Sequence, residues 1–171
     1  MGTYPGGAVI NVIPTLTTAG SSDGDVLCLT TEIPNAVISR GAASILRSIS
    51  VYNHKDATCD FDIVFMKNKV DITNAAGNAV GHGSTWTKAL AKSAEVIGAV
   101  YIDVSDNTSD LINGLLFSSG GILNENTKTP DIICQAASGS TSIYFTVIDR
   151  TGGITFAADD LEFIFGFEYL G

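Results

Sequence analysis

The last strand-like segment of the chain alternates apolar with polar residues, and this alternation is the feature that most constrains the fold. Between residues 161 and 169 one parity is apolar throughout: Leu161, Phe163, Phe165, Phe167 and Tyr169. The other parity includes Glu162, Gly166 and Glu168. A period of two residues is typical of a β-strand that is buried on one side. We therefore predict a closing strand whose apolar side faces a core.

Two further alternating stretches flank the short polar bend HKDAT at residues 54–58. In the first stretch Ile45, Ile49 and Val51 share one face, with Arg47 as the exception at the same parity. In the second stretch the apolar parity runs from residue 59 to residue 65. Because five residues is a normal length for a hairpin loop, we predict that the two stretches pair as a hairpin.

The remainder of the chain contains further short strand-like segments separated by turn residues. These segments cover residues 26–31, 33–39, 96–104, 111–117, 132–135 and 142–148, and DNTSD at 106–110 is predicted as a turn. One stretch, STWTKALAKSAEVIG, is a candidate for a short helix through Trp86 and Leu90. With about nine or ten short strands and one helix, the predicted fold class is all-β, an antiparallel β-sandwich that is jelly-roll-like. Residues 15–171 are predicted to form this single domain.

The first fourteen residues, MGTYPGGAVINVIP, are predicted to form an extended N-terminal arm. They combine flexible glycines with five interface candidates, which are Tyr4, Val9, Ile10, Val12 and Ile13. An extended apolar segment of this kind can add to the edge of a neighbouring subunit's sheet. The alternative is that residues 8–17 pair within their own domain.

The balance of charge excludes several classes of partner. The chain has 171 residues, of which only 16% are charged, and a formal net charge of −9. Such a surface repels phosphate backbones and anionic membranes, so we expect neither nucleic acid nor a membrane as a partner. The N-terminal stretch has no basic region and no long apolar run, so we expect no secretory signal and synthesis in the cytoplasm.

No residue pattern in the chain is typical of a catalytic, metal or cofactor site. His54 and His82 are far apart, and neither belongs to a metal-binding motif. The acidic run DVSDNTSD at residues 103–110 lacks the glycine and glutamate of a calcium-binding loop. The three cysteines, Cys28, Cys59 and Cys134, form no CxxC pair and are predicted to be buried thiols, with one disulfide as the alternative. We therefore expect no enzyme, no catalytic residue and no cofactor.

Most of residues 44–171 resembles a family of small virion proteins of tailed bacteriophages. The similarity lies in ILRSISVYNHKDATCDFDIVFMKN, in the stretch near SAEVIGAV, and in GSTSIYFTVIDRTGGITFAADDLEFIFGFEYLG, in this order. Members of this family are encoded near the major capsid gene and are taken to be head decoration or cement proteins. The chain departs from the family pattern at Cys59 and in the loop LNENTKTP.

The resemblance implies a jelly-roll-like domain that binds the outer surface of an assembled phage head and stabilises it. It also implies that the partner is the major capsid protein, that the oligomer is often a trimer, and that the location is the virion. Two alternatives stay open: a carbohydrate- or receptor-binding module of a phage fibre, and a joining protein of the neck or tail.

Overall fold

A computed structural model describes residues 6–16, 18, 20–55, 58–70, 92–103, 108–111, 114–119 and 130–170. Ten strands lie in these ranges, and residues 92–94 form a single helical turn. The strands are β1 Gly7–Val12, β2 Thr31–Ile33, β3 Ala43–Asn53, β4 Phe61–Met66, β5 Val96–Ile102, β6 Thr108–Leu111, β7 Gly114–Ser119, β8 Ile132–Gln135, β9 Ile143–Asp149 and β10 Leu161–Leu170. The predicted all-β class is confirmed.

The strands form two antiparallel sheets that pack face to face. The six-stranded sheet has the order β1-β10-β3-β7-β6, and β8 pairs beside the first half of β3. The four-stranded sheet has the order β2-β9-β4-β5. The orders β1-β10-β3-β7 and β2-β9-β4-β5, with sequential strands exchanged between the sheets, are those of a jelly roll.

The predicted hairpin between the two stretches that flank HKDAT is wrong. Strand β3 pairs with β10, β7 and β8, whereas β4 pairs with β5 and β9 in the other sheet. The chain therefore crosses from one sheet to the other between residues 53 and 61. Alternation correctly marked the buried residues of β4 and of the second half of β3, but two strands that face each other across a core show the same alternation as two paired strands.

The closing strand lies between β1 and β3 in the six-stranded sheet and supplies much of the core. Phe163, Phe165 and Phe167 point inward and are buried, as predicted. The ring of Phe165 lies 5.1 Å from that of Phe145 and 5.8 Å from that of Phe65, both across the interface between the sheets. Edge-to-face contacts of this kind add to the hydrophobic gain from burying the rings.

Arg47 breaks the alternation of β3 because it is the extra residue of a β-bulge. Ser48 pairs with Gly166 and Leu46 pairs with Phe167, which leaves Arg47 without an opposite residue on β10. A bulge shifts the inward parity by one residue. Consequently Leu46 is buried and Ile45 points outward, so the prediction that Ile45 shares a face with Ile49 is wrong.

The described part of the predicted arm lies within the domain. Strand β1 pairs antiparallel with β10 at one edge of the six-stranded sheet, from Gly7 opposite Glu168 to Val12 opposite Phe163. Its inward side chains, Ile10 and Val12, pack against the core. The sequence left open whether this segment adds to a neighbouring subunit or pairs within its own domain. The pairing of β1 with β10 corresponds to the second alternative.

Several shorter predictions need adjustment. The segments predicted at 26–31 and 33–39 become one short strand, β2, preceded by an isolated bridge between Val26 and Ile148. Residues 108–110 of the predicted DNTSD turn belong to β6. The helical candidate is described only from residue 92, so Trp86 and Leu90 lie outside the described residues. The prediction of three buried free thiols is confirmed for Cys28, Cys59 and Cys134.

Candidate interaction surfaces

The outward side chains of β1, β10, β3 and β8 form one continuous surface on the six-stranded sheet, which we name the open face. Alternation along each strand, together with the bulge at Arg47, decides which side chains belong to it. Its members are Gly7, Val9, Asn11, Ala43, Ile45, Arg47, Ser48, Ser50, Tyr52, Ile133, Gln135, Glu162, Ile164, Gly166, Glu168 and Leu170.

The row that crosses the middle of the open face carries no charge and runs from Val9 through Gly166 to Ser48. A Cβ atom at position 166 would collide with Oγ of Ser48, so a larger residue here would require Ser48 to move. Val9 in this row is 80% exposed, and Ile133 on β8 is 64% exposed. Exposed apolar groups on one sheet face make it a candidate for contact with another protein.

The charges of the open face are paired on the face itself. The guanidinium of Arg47 lies 2.7 Å from the carboxylates of both Glu168 and Asp131. These hydrogen bonds, the one to Glu168 first, raise the pKa of Arg47. At the opposite end, Glu162 accepts a hydrogen bond from the side-chain amide of Asn11 and lies 3.4 Å from Nε2 of His54. The Arg47–Glu168 pair therefore lies directly beside the row from Val9 to Ser48, on the side toward Ile133, and Glu162 lies near the other end of β10.

The outer face of the four-stranded sheet has a different character. Val64 and Met66 on β4 and Thr146 and Ile148 on β9 have the outward parity, because their neighbours point into the core between the sheets. All four of these outward side chains are buried. The middle of this outer face is thus covered, whereas Ala99 and Tyr101 on β5 leave its edge exposed.

A second, smaller surface surrounds Tyr101 near the end of β5. Tyr101 is 54% exposed and donates a 3.1 Å hydrogen bond to Asp60. Desolvation, followed by the hydrogen bond to the carboxylate of Asp60, raises the pKa of Tyr101. Asp62 lies opposite Tyr101 on β4 and accepts hydrogen bonds from Arg150. We name this group of four residues the Tyr101 patch.

The buried carboxylate of Asp149 has a structural role. It accepts hydrogen bonds from the backbone amides of Thr151 and Gly152, at 2.8 and 3.0 Å, and from the hydroxyl of Ser21. The thiol of Cys59 is also in contact with it, at 3.5 Å. With these donors around it, the carboxylate holds the turn after β9 against the loop that precedes β2.

The thiols of the chain are unsuited to nucleophilic chemistry. Burial raises the pKa of Cys28 to about 11 and that of Cys134 to about 12. The pKa of Cys59 is raised further, first by burial and then by the nearby carboxylate of Asp149. A thiol reacts as the thiolate, so raised pKa values lower its reactivity. Within the described ranges no cluster of three or more histidine, cysteine, aspartate or glutamate residues could hold a metal ion.

The predicted interface candidates occupy different positions in the structure. Val9 is on the open face, and Ile13, just beyond β1, is 55% exposed. Ile10 and Val12 are half-buried against the core, so they are available to stabilise the domain rather than a partner. Tyr4 lies outside the described residues.

Sequence reasoning missed Ile133 and Ile45 as members of an exposed surface. The available signal was Arg47, because a charged residue at an apolar parity can mark a bulge after which the two faces exchange.

The comparisons offer no further guide to function: no known family model, no curated protein and no solved structure matches this chain. Among the described helical residues, no helix is both long and apolar enough to span a bilayer.

Proposed function

We propose that the chain is a non-enzymatic capsid decoration or cement protein, which binds the outer surface of an assembled phage head through the open face. The observation that carries this proposal is the open face itself, a sheet surface with strongly exposed apolar side chains whose arginine is paired with carboxylates of the same surface. The jelly roll occurs in viral capsid proteins, among other classes, and so agrees with the sequence resemblance.

Cementing needs affinity for a repeated lattice and no chemical step. A ligand that binds only the assembled shell stabilises it by mass action. When an oligomer engages several capsid subunits at once, its later contacts are effectively intramolecular and strengthen the whole attachment. The major capsid protein is therefore the proposed partner, and the outside of the virion is the proposed location. The net charge of −9 agrees with an exterior position, since packaged DNA would repel it.

Co-sedimentation with purified heads of the phage that encodes the chain tests this proposal. We expect the protein to sediment with the heads at saturable stoichiometry and to raise their resistance to heat. Replacing Ile133 by Glu should weaken binding by about tenfold or more, because a buried charge would replace an apolar contact. Ile38, which is 58% exposed in the turn after β2, provides the matched control, and Ile38→Glu should bind normally.

Two results would overturn the proposal. One is the absence of the chain from purified particles by mass spectrometry. The other is its presence only at the neck or tail in a map of the virion, which would support the joining-protein alternative. Equal loss of binding in the Ile133 and Ile38 variants would place the contact away from the open face.

The Tyr101 patch favours a second candidate function, recognition of a carbohydrate. An exposed aromatic ring beside carboxylates and a guanidinium offers both an apolar surface and hydrogen-bonding groups to a sugar. Jelly rolls include lectin domains. On a glycan array, the wild-type chain would bind a defined sugar and Tyr101→Ala would not, whereas Ile133→Glu would bind as well as the wild type. Absence of any signal on the array would remove this candidate.

A further inference from the structure

The edge formed by β1 differs from the other sheet edges among the described residues. The other edge strands are short, with three residues in β2 and four each in β6 and β8, or they carry a bulge, which in β5 falls at Ile97. Short strands, bulges, charged residues and prolines are the usual devices that prevent one edge from pairing with another chain. Strand β1 has six residues in unbroken register with β10 and contains none of these devices.

The backbone of β1 presents a row of hydrogen-bonding groups away from the domain. The amide of Tyr169 donates to the carbonyl of Gly6 at 2.8 Å, and the register continues with Ala8 opposite Phe167. Hydrogen-bonded and non-hydrogen-bonded pairs alternate in an antiparallel ladder. The amides and carbonyls of Gly7, Val9 and Asn11 therefore point to the outer edge of the sheet.

The distribution of charge favours a second copy of the chain at this edge. Each copy has a net charge of −9, so two copies repel one another over most of their surfaces. Residues 6–22 contain no charged side chain, so β1 itself adds nothing to that repulsion, and of the two carboxylates beside it on β10 Glu162 is hydrogen-bonded to Asn11 and Glu168 to Arg47. Val9, at 80%, has the largest exposed fraction among the large apolar side chains described, and it lies at the middle of the outward row.

We propose that two copies of this chain pair antiparallel along β1, about a two-fold axis that passes through Val9. In this arrangement Val9 faces Val9 of the second copy, and Gly7 faces Asn11. Each outward amide donates to the opposite strand and each outward carbonyl accepts from it. The two six-stranded sheets become one continuous sheet, and the two open faces extend side by side. The oligomer is then a dimer, in place of the trimer that the sequence resemblance implies.

The first test measures the oligomeric state of the full chain by sedimentation velocity over a wide range of concentration. We expect a monomer–dimer equilibrium for the wild type. Val9→Pro should shift it to monomer, because proline removes one outward amide and blocks the approach of a strand while leaving the pairs of Ala8 and Ile10 with β10 in place. Val9→Thr keeps the amide and should still form the dimer.

A cross-linking test remains informative if the proline variant does not fold. Opposite residues of a hydrogen-bonded pair have Cα atoms about 5.5 Å apart, which suits a disulfide. The three native thiols are buried, so an introduced surface cysteine reacts without competition from them. Under mild oxidation Val9→Cys should form covalent dimers about tenfold faster or more than Ile133→Cys, which is also strongly exposed but distant from the β1 edge.

Two outcomes would overturn the proposal: a wild-type chain that is monomeric or trimeric throughout, and equal cross-linking rates for the two cysteine variants. Both measurements use the isolated chain, so their result does not depend on whether the chain binds a phage head. Conversely, failure to bind heads would leave the dimer measurement unaffected.

Discussion

The two sheets of the sandwich contribute equally to one core but differ in what their outer faces do. On the four-stranded sheet the outward residues Val64, Met66 and Thr146 are buried, so the middle of its outer face is covered and only its β5 edge, at Tyr101, is exposed. On the six-stranded sheet the outward Val9 and Ile133 are exposed. An antiparallel sheet with one face on the core is expected to have a polar outer face. Exposed apolar residues on that face make it the candidate for contact with another protein.

The largest loss of stability is expected from a substitution in the core between the two sheets. Phe165 contacts Phe65 and Phe145 of the opposite sheet and is fully buried, so Phe165→Ala should lower the free energy of unfolding by about 3–5 kcal/mol. Urea denaturation measures this change. Glu162→Ala, at the outward parity of the same strand, should cost under about 0.5 kcal/mol. Equal costs would show that the inward parity of β10 has been misassigned.

The comparison of the two outer faces can be tested with a second pair of variants. Met66→Ala removes an outward but buried side chain and should cost about 2–5 kcal/mol. Ile133→Ala removes an outward and exposed one and should cost under about 0.5 kcal/mol. Thermal or urea unfolding of the isolated chain provides both values. If the two variants were equally stable, the faces would not differ in coverage and the case for a free docking surface would fail.

The sequence indicated in part that the outer side of β4 is covered, unlike the open face. Strand β4 reads FDIVFM, and its last four residues are all apolar, which is typical of a strand covered on both faces. Alternation alone assigned Phe61, Ile63 and Phe65 to the core and left Val64 and Met66 without a role. The burial of the latter two side chains is the explanation for that apolar run.

The open face was harder to predict because it depends on pairing between distant strands. The bulge that turns Ile45 outward exists only because β10 lies opposite β3 with one residue fewer. Likewise, Ile133 stands beside Ile45 through the pairing of β8 with β3, some ninety residues apart in the chain. Local periodicity predicts the buried side of a strand, but it does not predict which strand lies beside it. For the same reason the β3–β4 hairpin was a plausible but incorrect prediction.

The smallest change in stability is expected when the paired charges of the open face are removed. Arg47 is exposed and binds Glu168 and Asp131, and exposed ion pairs of this kind are weakened by salt. Arg47→Ala should therefore lower the melting temperature slightly at about 0.1 M salt, where charges interact over about 10 Å. At about 1 M salt, where that distance falls to about 3 Å, the difference from the wild type should largely disappear.

The salt dependence separates an electrostatic role of Arg47 from a geometric one. If the bulge itself requires the arginine, the loss in melting temperature would persist at high salt, because backbone geometry is insensitive to screening. Arg47→Lys provides the control, since lysine keeps the charge but cannot reproduce the two directed hydrogen bonds of the guanidinium. A lysine variant that matches the wild type at low salt would show that charge alone is sufficient. Charge pairing at Arg47 would then contribute a salt-sensitive part of the stability, and the exposed apolar side chains of Val9 and Ile133 would remain available to a partner.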